Sequence, residues 1–344
     1  MEKKNKVFLI KLYFIFTFPL NLIVVFFTIL KVKFFKKNIK ENEYQAFIKC
    51  FLISGGWTND LISFFLKKKI QPDPLVYDFS KEIKEISKNI NNNGYYEEEK
   101  YLSVEKCKEI LKFALSKQGY YEMDGLLYDQ SNLLLYNRQS PLGTRFSFIQ
   151  KEVLENSAVQ ELVFDKKLRG IAAEYFQADP LLSAVNLWWT SGFKKDPDKQ
   201  SAQYYHFDLD SPKFLKCFFY ITDVTSERGP HTFIKSSHKN KGIPWSLRSK
   251  GYTRLEDHDI INHYGKHSIV EFSRPQGALI IEDTRGLHKG KNVTSGDRLI
   301  LQFEFANTPF FKNMKNYLPD NLKNKSEYNL NNNRYFFSLY KNNI

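Results

Sequence analysis

Between residues 182 and 306 the chain carries seven short runs rich in β-branched and aromatic residues, with turn residues between them. They are Leu182–Thr190, Ala202–Leu209, Phe214–Asp223, Thr232–Lys235, Ser268–Phe272, Ala278–Glu282 and Arg298–Ala306. Ser211-Pro212, Gly229-Pro230, Pro275 to Gly277 and Ser295-Gly296 punctuate them. Short strands without interleaved helices can bury their apolar faces only by packing sheet on sheet. This stretch therefore predicts an antiparallel sandwich or jelly roll. The long basic segment from Lys239 to Lys266 has few regular signals and reads as a loop over the mouth of the barrel.

Upstream, the pattern is helical. Residues 42–68 read as helix, broken at Gly55-Gly56 and restarted at the capping residues Thr58-Asn59-Asp60. Ser103 to Lys117 predicts an amphipathic helix, with Ser103 as cap and Val104, Cys107, Ile110, Leu111 and Leu115 as its apolar stripe. The Asn-rich stretch Asn89–Gly94 reads as a linker. The expected organisation is a basic apolar segment (1–40), a helical extension and linker (41–92), a β-rich domain (93–310) and an Asn/Lys-rich tail (311–344). In that tail Tyr335, Phe336 and Phe337 supply loose packing. The class is mainly β with flanking helices (α+β), a jelly roll in its core.

The net charge of +13 is concentrated at one end: residues 1–40 hold nine Lys and one Glu. That basicity flanks an apolar run, Leu12 to Leu30, which points to phospholipid and away from nucleic acid. No Arg-rich arm or zinc-finger spacing is present. Nineteen uncharged residues are just enough to span a bilayer, despite Pro19 and Asn21. An anchor lying in the membrane plane and a helix packed on the domain fit the same residues. No small-x-small site follows, as a cleaved leader would need. The more basic C-terminal flank predicts a cytosolic main domain, anchored or not. Three widely spaced cysteines form no disulfide framework and suit a reducing compartment.

The candidate chemistry lies in the strand-rich half. On an extended segment His206 and Asp208 project from one face, with Tyr204 beside them, while Phe207 and Leu209 point the other way. His288 follows the Ala278–Glu282 run, and Arg298 stands ten residues beyond it. Two imidazoles and a carboxylate can hold a ferrous ion on one side and leave its other positions open. A guanidinium nearby can grip a distant carboxylate. In the last strand Arg298, Ile300, Gln302 and Glu304 share a face, which reads either as solvated or as the lining of a ligand-holding barrel. Lys216 is a candidate co-substrate contact or an edge lysine, and Asp210 reads as a solvated or turn-capping residue. Trp188 and Trp189 predict one ring facing the cavity and one facing the core. His258, His263 and His267 lack an accompanying Glu, and Gly265 weakens a helix between them, so no separate metal site is expected there.

The stretches Gln203-Tyr-Tyr-His-Phe-Asp208, Gly229-Pro-His-Thr-Phe-Ile-Lys-Ser-Ser-His-Lys239 and Gly277-Ala-Leu-Ile-Ile-Glu-Asp-Thr-Arg-Gly-Leu-His288, followed by Arg298, resemble the phytanoyl-CoA dioxygenase family. The resemblance covers residues 93–308 and implies a double-stranded β-helix. It also implies Fe(2+), 2-oxoglutarate as co-substrate, and O2. By that likeness His206, Asp208 and His288 would be the metal ligands, and Arg298 would bind the 2-oxoglutarate C5 carboxylate, with Lys216 and Tyr204 as further co-substrate candidates. The implied activity is hydroxylation of a small-molecule, lipid-linked or saccharide-linked substrate, with release of succinate and CO2. A ligand-binding cupin and an inactive membrane-tethered barrel are the competing readings. Substrate contacts are expected from the loops 190–201 and 239–266. Lys235-Ser236 stands where the family carries Pro-Gly, and His238 in that turn reads as a structural hydrogen-bonder.

Overall fold

The computed structural model of the chain describes residues 2–122, 133–198, 201–312, 316–323 and 333–341, with backbone alone for 2–15 and 341. Part of the predicted tail, including 324–332, lies outside the described residues, as do 199 and 200 in the first expected substrate loop. The strands are β1 (Tyr95–Glu98), β2 (Gln118–Tyr121), β3 (Leu134–Leu135), β4 (Arg145–Ser147), β5 (Leu181–Ser191), β6 (Phe214–Tyr220), β7 (His231–Ile234), β8 (Ile269–Phe272), β9 (Leu279–Glu282), β10 (His288–Gly290) and β11 (Asp297–Ala306), followed by the short pair β12 (Asn316–Tyr317) and β13 (Tyr340–Lys341). The helices are α1 (Glu2–Phe35), α2 (Glu41–Ser54), α3 (Trp57–Leu66), α4 (Lys81–Asn93), α5 (Val104–Ser116), α6 (Gln150–Val153), α7 (Ser157–Val163), α8 (Lys166–Phe176), α9 (Trp245–Arg248), α10 (Asp257–Tyr264) and α11 (Asp320–Lys323).

An eight-stranded antiparallel sheet, in the order β1-β9-β6-β11-β5-β4-β2-β3, faces a three-stranded sheet, β10-β7-β8. Side-chain alternation assigns each face of the large sheet its own neighbour. Val185, Leu187, Trp189, Cys217, Leu301 and Phe303 point outward into the main core under α4 to α8. Trp188, Phe218, Tyr220 and Ile300 point inward and meet Phe233 and Phe272 of the small sheet. The arrangement is a double-stranded β-helix with flanking helices. A separate apolar cluster joins α1 and α2 to Phe207, Leu209, Leu255 and Leu287 behind the small sheet.

Several expectations need correction. The Asn89–Gly94 linker is the end of α4, which runs to Asn93 and is capped by Gly94 at φ 93°. Burial of Ile83, Ile86 and Ile90, one helical face, outweighs the weak helix propensity of its asparagines. The Ala202–Leu209 strand is not a regular ladder; only Tyr205 and His206 make single antiparallel bridges, to Leu255 and His288. The predicted α5 cap holds, with Ser103 Oγ accepting from Lys106 N at 3.2 Å, but Val104 and Leu115 are exposed rather than on the buried stripe. The 239–266 segment is partly helical, carrying α9 and α10.

Candidate metal and co-substrate centre

Backbone hydrogen bonds bring the three candidate ligands together. His206 and His288 exchange N–H···O bonds of 3.0 and 2.9 Å, and Asp208 N donates to Thr284 O at 2.8 Å. Their alternation then works as expected: His206 and Asp208 face the cavity, while Phe207 and Leu209 are buried on the other side. One ligand atom from each of His206, Asp208 and His288 lies within 4.8 Å of the others. Each imidazole places Nδ1 against a carbonyl, His206 on Tyr204 O and His288 on Gly286 O, both at 2.9 Å. That partner makes Nδ1 the donor and leaves the Nε2 lone pair for a cation. Burial, reinforced by the His288 charge, pushes the His206 pKa well down, so its neutral, ligating form prevails. Burial alone would raise the Asp208 carboxyl, but Lys216 and then His288 outweigh it and hold it well below the usual range. Two imidazoles and a carboxylate fit a divalent iron.

His288 is held by the turn before it. Arg285 Nη2 donates to Asp283 Oδ2 at 2.6 Å, and the buried Tyr175 hydroxyl donates to the same oxygen. This clamp fixes the path from β9 into β10.

The cavity measures about 470 Å³ and is walled by the inner faces of β5, β6 and β11. At one end lies Arg298, only 4% exposed, with Nε and Nη1 lacking any partner. Burial pushes its pKa down to about 10, with Tyr220 as partial compensation. A Cβ on Gly290 would meet Arg298 Nη2 at 2.6 Å, so the absence of a side chain there makes room for the guanidinium. A buried cation with two open donors fits an anionic ligand group, as the far carboxylate of a 2-oxo acid would supply.

At the other end Lys216 Nζ lies 2.7 Å from Asp208, 2.9 Å from Asp210 and 3.5 Å from Glu304. Asp210 thus lines the cavity, where the sequence suggested a solvated or capping residue. Tyr204 contributes its carbonyl to His206 and is not among the residues lining the cavity. Trp188 lines the cavity and Trp189 the main core. His238 Nε2 meets Asn91 O at 3.2 Å, a structural contact. Ser236 takes φ 64° at the position where the family has glycine, so the turn keeps its left-handed residue.

Sequence reasoning missed several members of this wall. His231 stacks on His288, ring centroids 5.6 Å apart, and its Nε2 lies 2.8 Å from Glu282 Oε2. Arg145 lies over the Trp188 ring at 4.3 Å and pairs with Glu122 at 3.0 Å, and Arg254 reaches in from the 239–266 segment. The inward alternation of β7 could have flagged His231; nothing local marks the other three. Among the described residues no further metal-ligating group occurs, His258, His263 and His267 included.

A family profile described as Phytanoyl-CoA dioxygenase (PhyH) matches residues 91–300. The chain belongs to the phytanoyl-CoA dioxygenase family. Enzymes of this family use iron(II), 2-oxoglutarate and O2, and the chain is an oxygenase-type enzyme of that group. No curated protein sequence matches it. Among solved structures it is similar to EctD from S. alaskensis with bound Fe, at 18% identity over 70% of this chain and 83% of that one, TM-score 0.46. HygX from Streptomyces hygroscopicus with nickel and 2-oxoglutarate bound matches at 14% identity over 70% of this chain and 91% of that one, TM-score 0.45. The alpha ketoglutarate dependent epimerase SnoN from nogalamycin biosynthesis matches at 16% identity over 66% and 81%, TM-score 0.45. These likenesses are distant, and the family match carries the assignment.

Proposed function

We propose that this phytanoyl-CoA dioxygenase family member is a hydroxylase that places a hydroxyl group on a small-molecule, lipid-linked or saccharide-linked substrate, with release of succinate and CO2. His206, Asp208 and His288 would hold the iron and Arg298 the far carboxylate of 2-oxoglutarate. The observation that carries the reading is the buried Arg298 with two unpartnered nitrogens, in the same cavity as the His-Asp-His cluster. When bound, iron(II) and 2-oxoglutarate would serve to activate O2, the oxidant, with one oxygen atom going to the substrate C–H bond and the other to succinate as CO2 leaves. The chain's own groups supply the rest. The Tyr204 and Gly286 carbonyls fix the imidazole tautomers, and Lys216 keeps Asp208 ionised at neutral pH. The Asp208 carboxylate also favours hydroxylation over halogenation, because it occupies the position a halide would need. Gln302 and Asn186, paired across β11 and β5, give the wall carboxamides suited to a polar substrate. The free buried cysteines suit a cytosolic domain.

Anaerobic addition of Fe(II) and 2-oxoglutarate should produce a weak visible charge-transfer band that His206→Ala abolishes. Succinate release across a metabolite screen then finds the substrate. Wild-type 2-oxoglutarate affinity in Arg298→Ala, with metal still bound, would instead favour a ligand-binding cupin.

A further inference from the structure

We propose that α1 and α3 form a docking surface for an anionic phospholipid bilayer, on which the enzyme lies without spanning it. The first observation is how α1 is seated. Val25, Thr28, Ile29 and Val32 follow one helical face and are buried on the domain. Phe18 and Leu22 already pack against the same cluster, and Lys31 pairs with Glu43 of α2. Ile39 N, just past the helix, bonds Phe311 O at 3.1 Å and ties the exit to the domain. A spanning helix needs about 30 Å of its length in lipid on every side. Leu12 to Val24, the apolar run before Val25, supplies only about 20 Å. Seated in this way, α1 cannot cross a bilayer.

The opposite face of α1 is apolar and open. Phe16, Leu20, Ile23, Phe27 and Phe34 lie along it, all more than half exposed. Soluble helices put polar residues on such a face.

The second observation is independent, and lies in α3. This helix turns most of its large apolar side chains outward. It buries Thr58, Asn59 and Ser63 beside Ile62 and exposes Trp57, Leu61, Phe64 and Phe65, with Phe64 at 69%, around a single acid, Asp60. The buried polar groups find partners inside: Asn59 Nδ2 donates to Pro212 O at 3.2 Å, and Asn307 donates to Ser63, although Asn59 Oδ1 is left without one. Phe18 of α1 meets Trp57 of α3 edge-on at 6.2 Å, so the two exposed stripes adjoin. At roughly 150–250 Å² per aromatic side chain, the exposed area is on the order of 1,000 Å², beyond the few hundred usual for a soluble monomer.

Charge selects the occupant. Lys33, Lys36, Lys37 and Lys40 are exposed at the end of α1, and Lys69 is exposed just past α3. The only acid in the first 40 residues is Glu2. An apolar face rimmed by lysine matches acyl chains beneath anionic headgroups.

The test uses the full chain, sedimented with phosphatidylcholine vesicles with or without phosphatidylserine. Binding should be about tenfold tighter with phosphatidylserine. Leu61→Asp combined with Phe64→Asp should weaken it about tenfold or more, with the melting temperature unchanged. Lys33, Lys36 and Lys37 replaced together by Glu should abolish the preference for phosphatidylserine. An unchanged affinity in the α3 variant overturns the proposal. So does protection of the N-terminus from protease added outside sealed vesicles, which would mean a spanning helix. A wild-type dimer that the α3 variant converts to monomer, with no vesicle binding by either, would assign the face to a second copy of the chain.

Discussion

The two ends of the cavity each hold a buried cation, and they are built in opposite ways. Lys216 is saturated: three carboxylates surround it, and they outweigh burial to hold its pKa well above the usual lysine value. Arg298 is unsatisfied: it has a tyrosine beside it, two nitrogens without partners, and a pKa pushed down by burial. A buried charge without its partner is costly, so the fold carries at Arg298 a liability that only an anionic ligand would relieve. Lys216 needs no ligand. It organises Asp208 and Asp210 and acts as a positioning group for the metal end.

The largest predicted contrast follows directly. Lys216→Ala leaves buried carboxylates uncompensated and should cost about 3–5 kcal/mol of stability in urea unfolding. Arg298→Ala removes an unpaired charge and should change stability by less than about 1 kcal/mol, while weakening 2-oxoglutarate binding about 100-fold. Equal stability losses in the two variants would erase the distinction.

This contrast was only half legible in the sequence. The period-2 pattern placed β5 to β9 and β11 but not the short β10, and alternation put His206 and Asp208 on one face even though that segment makes only single bridges. The charge network around Lys216 depends on register. Lys216 stands opposite both Glu304 and Glu282, partners 88 and 66 residues away, and no local pattern encodes which residues meet across strands. The same holds for Arg145, aligned with Arg298 only through Thr190 of the strand between them. Asp210 was misread because Pro212 signals a strand ending, a local cue that says nothing about the lysine facing it. The end of α4 was misread for a related reason. Its asparagines suggest a linker, but the Ile83, Ile86 and Ile90 stripe that holds the helix was there to be counted.

A smaller perturbation sharpens the arginine side alone. Gly290→Ala puts a methyl 2.6 Å from Arg298 Nη2, the far end of a flexible side chain. The guanidinium can move aside, so stability should hold to within about 1 kcal/mol. Its fork would no longer meet the carboxylate squarely, and 2-oxoglutarate affinity should fall about tenfold. Isothermal titration under anaerobic conditions reads this change, and wild-type affinity would show that the arginine position is not critical.

The smallest effect tests the saturated end through pH. Burial first, then the Asp210 charge, raises the Glu304 pKa from 4.5 to about 8, although Lys216 opposes the shift and Ser183 Oγ donates to Oε1 at 2.7 Å. A carboxyl with a raised folded pKa keeps its proton in the native state after the unfolded chain has lost it. Between the unfolded value near 4.5 and the folded value near 8, the native state therefore binds more protons. Stability attributable to Glu304 is present below that window and declines as pH rises through it. Glu304→Gln, neutral at every pH, should flatten the decline across the window. Glu282, raised to about 8 mainly by burial, contributes a parallel slope that the variant leaves in place. If urea midpoints of Glu304→Gln and wild type fall in parallel from about pH 5 to pH 8, then Glu304 is already ionised beside Lys216 at the lower pH.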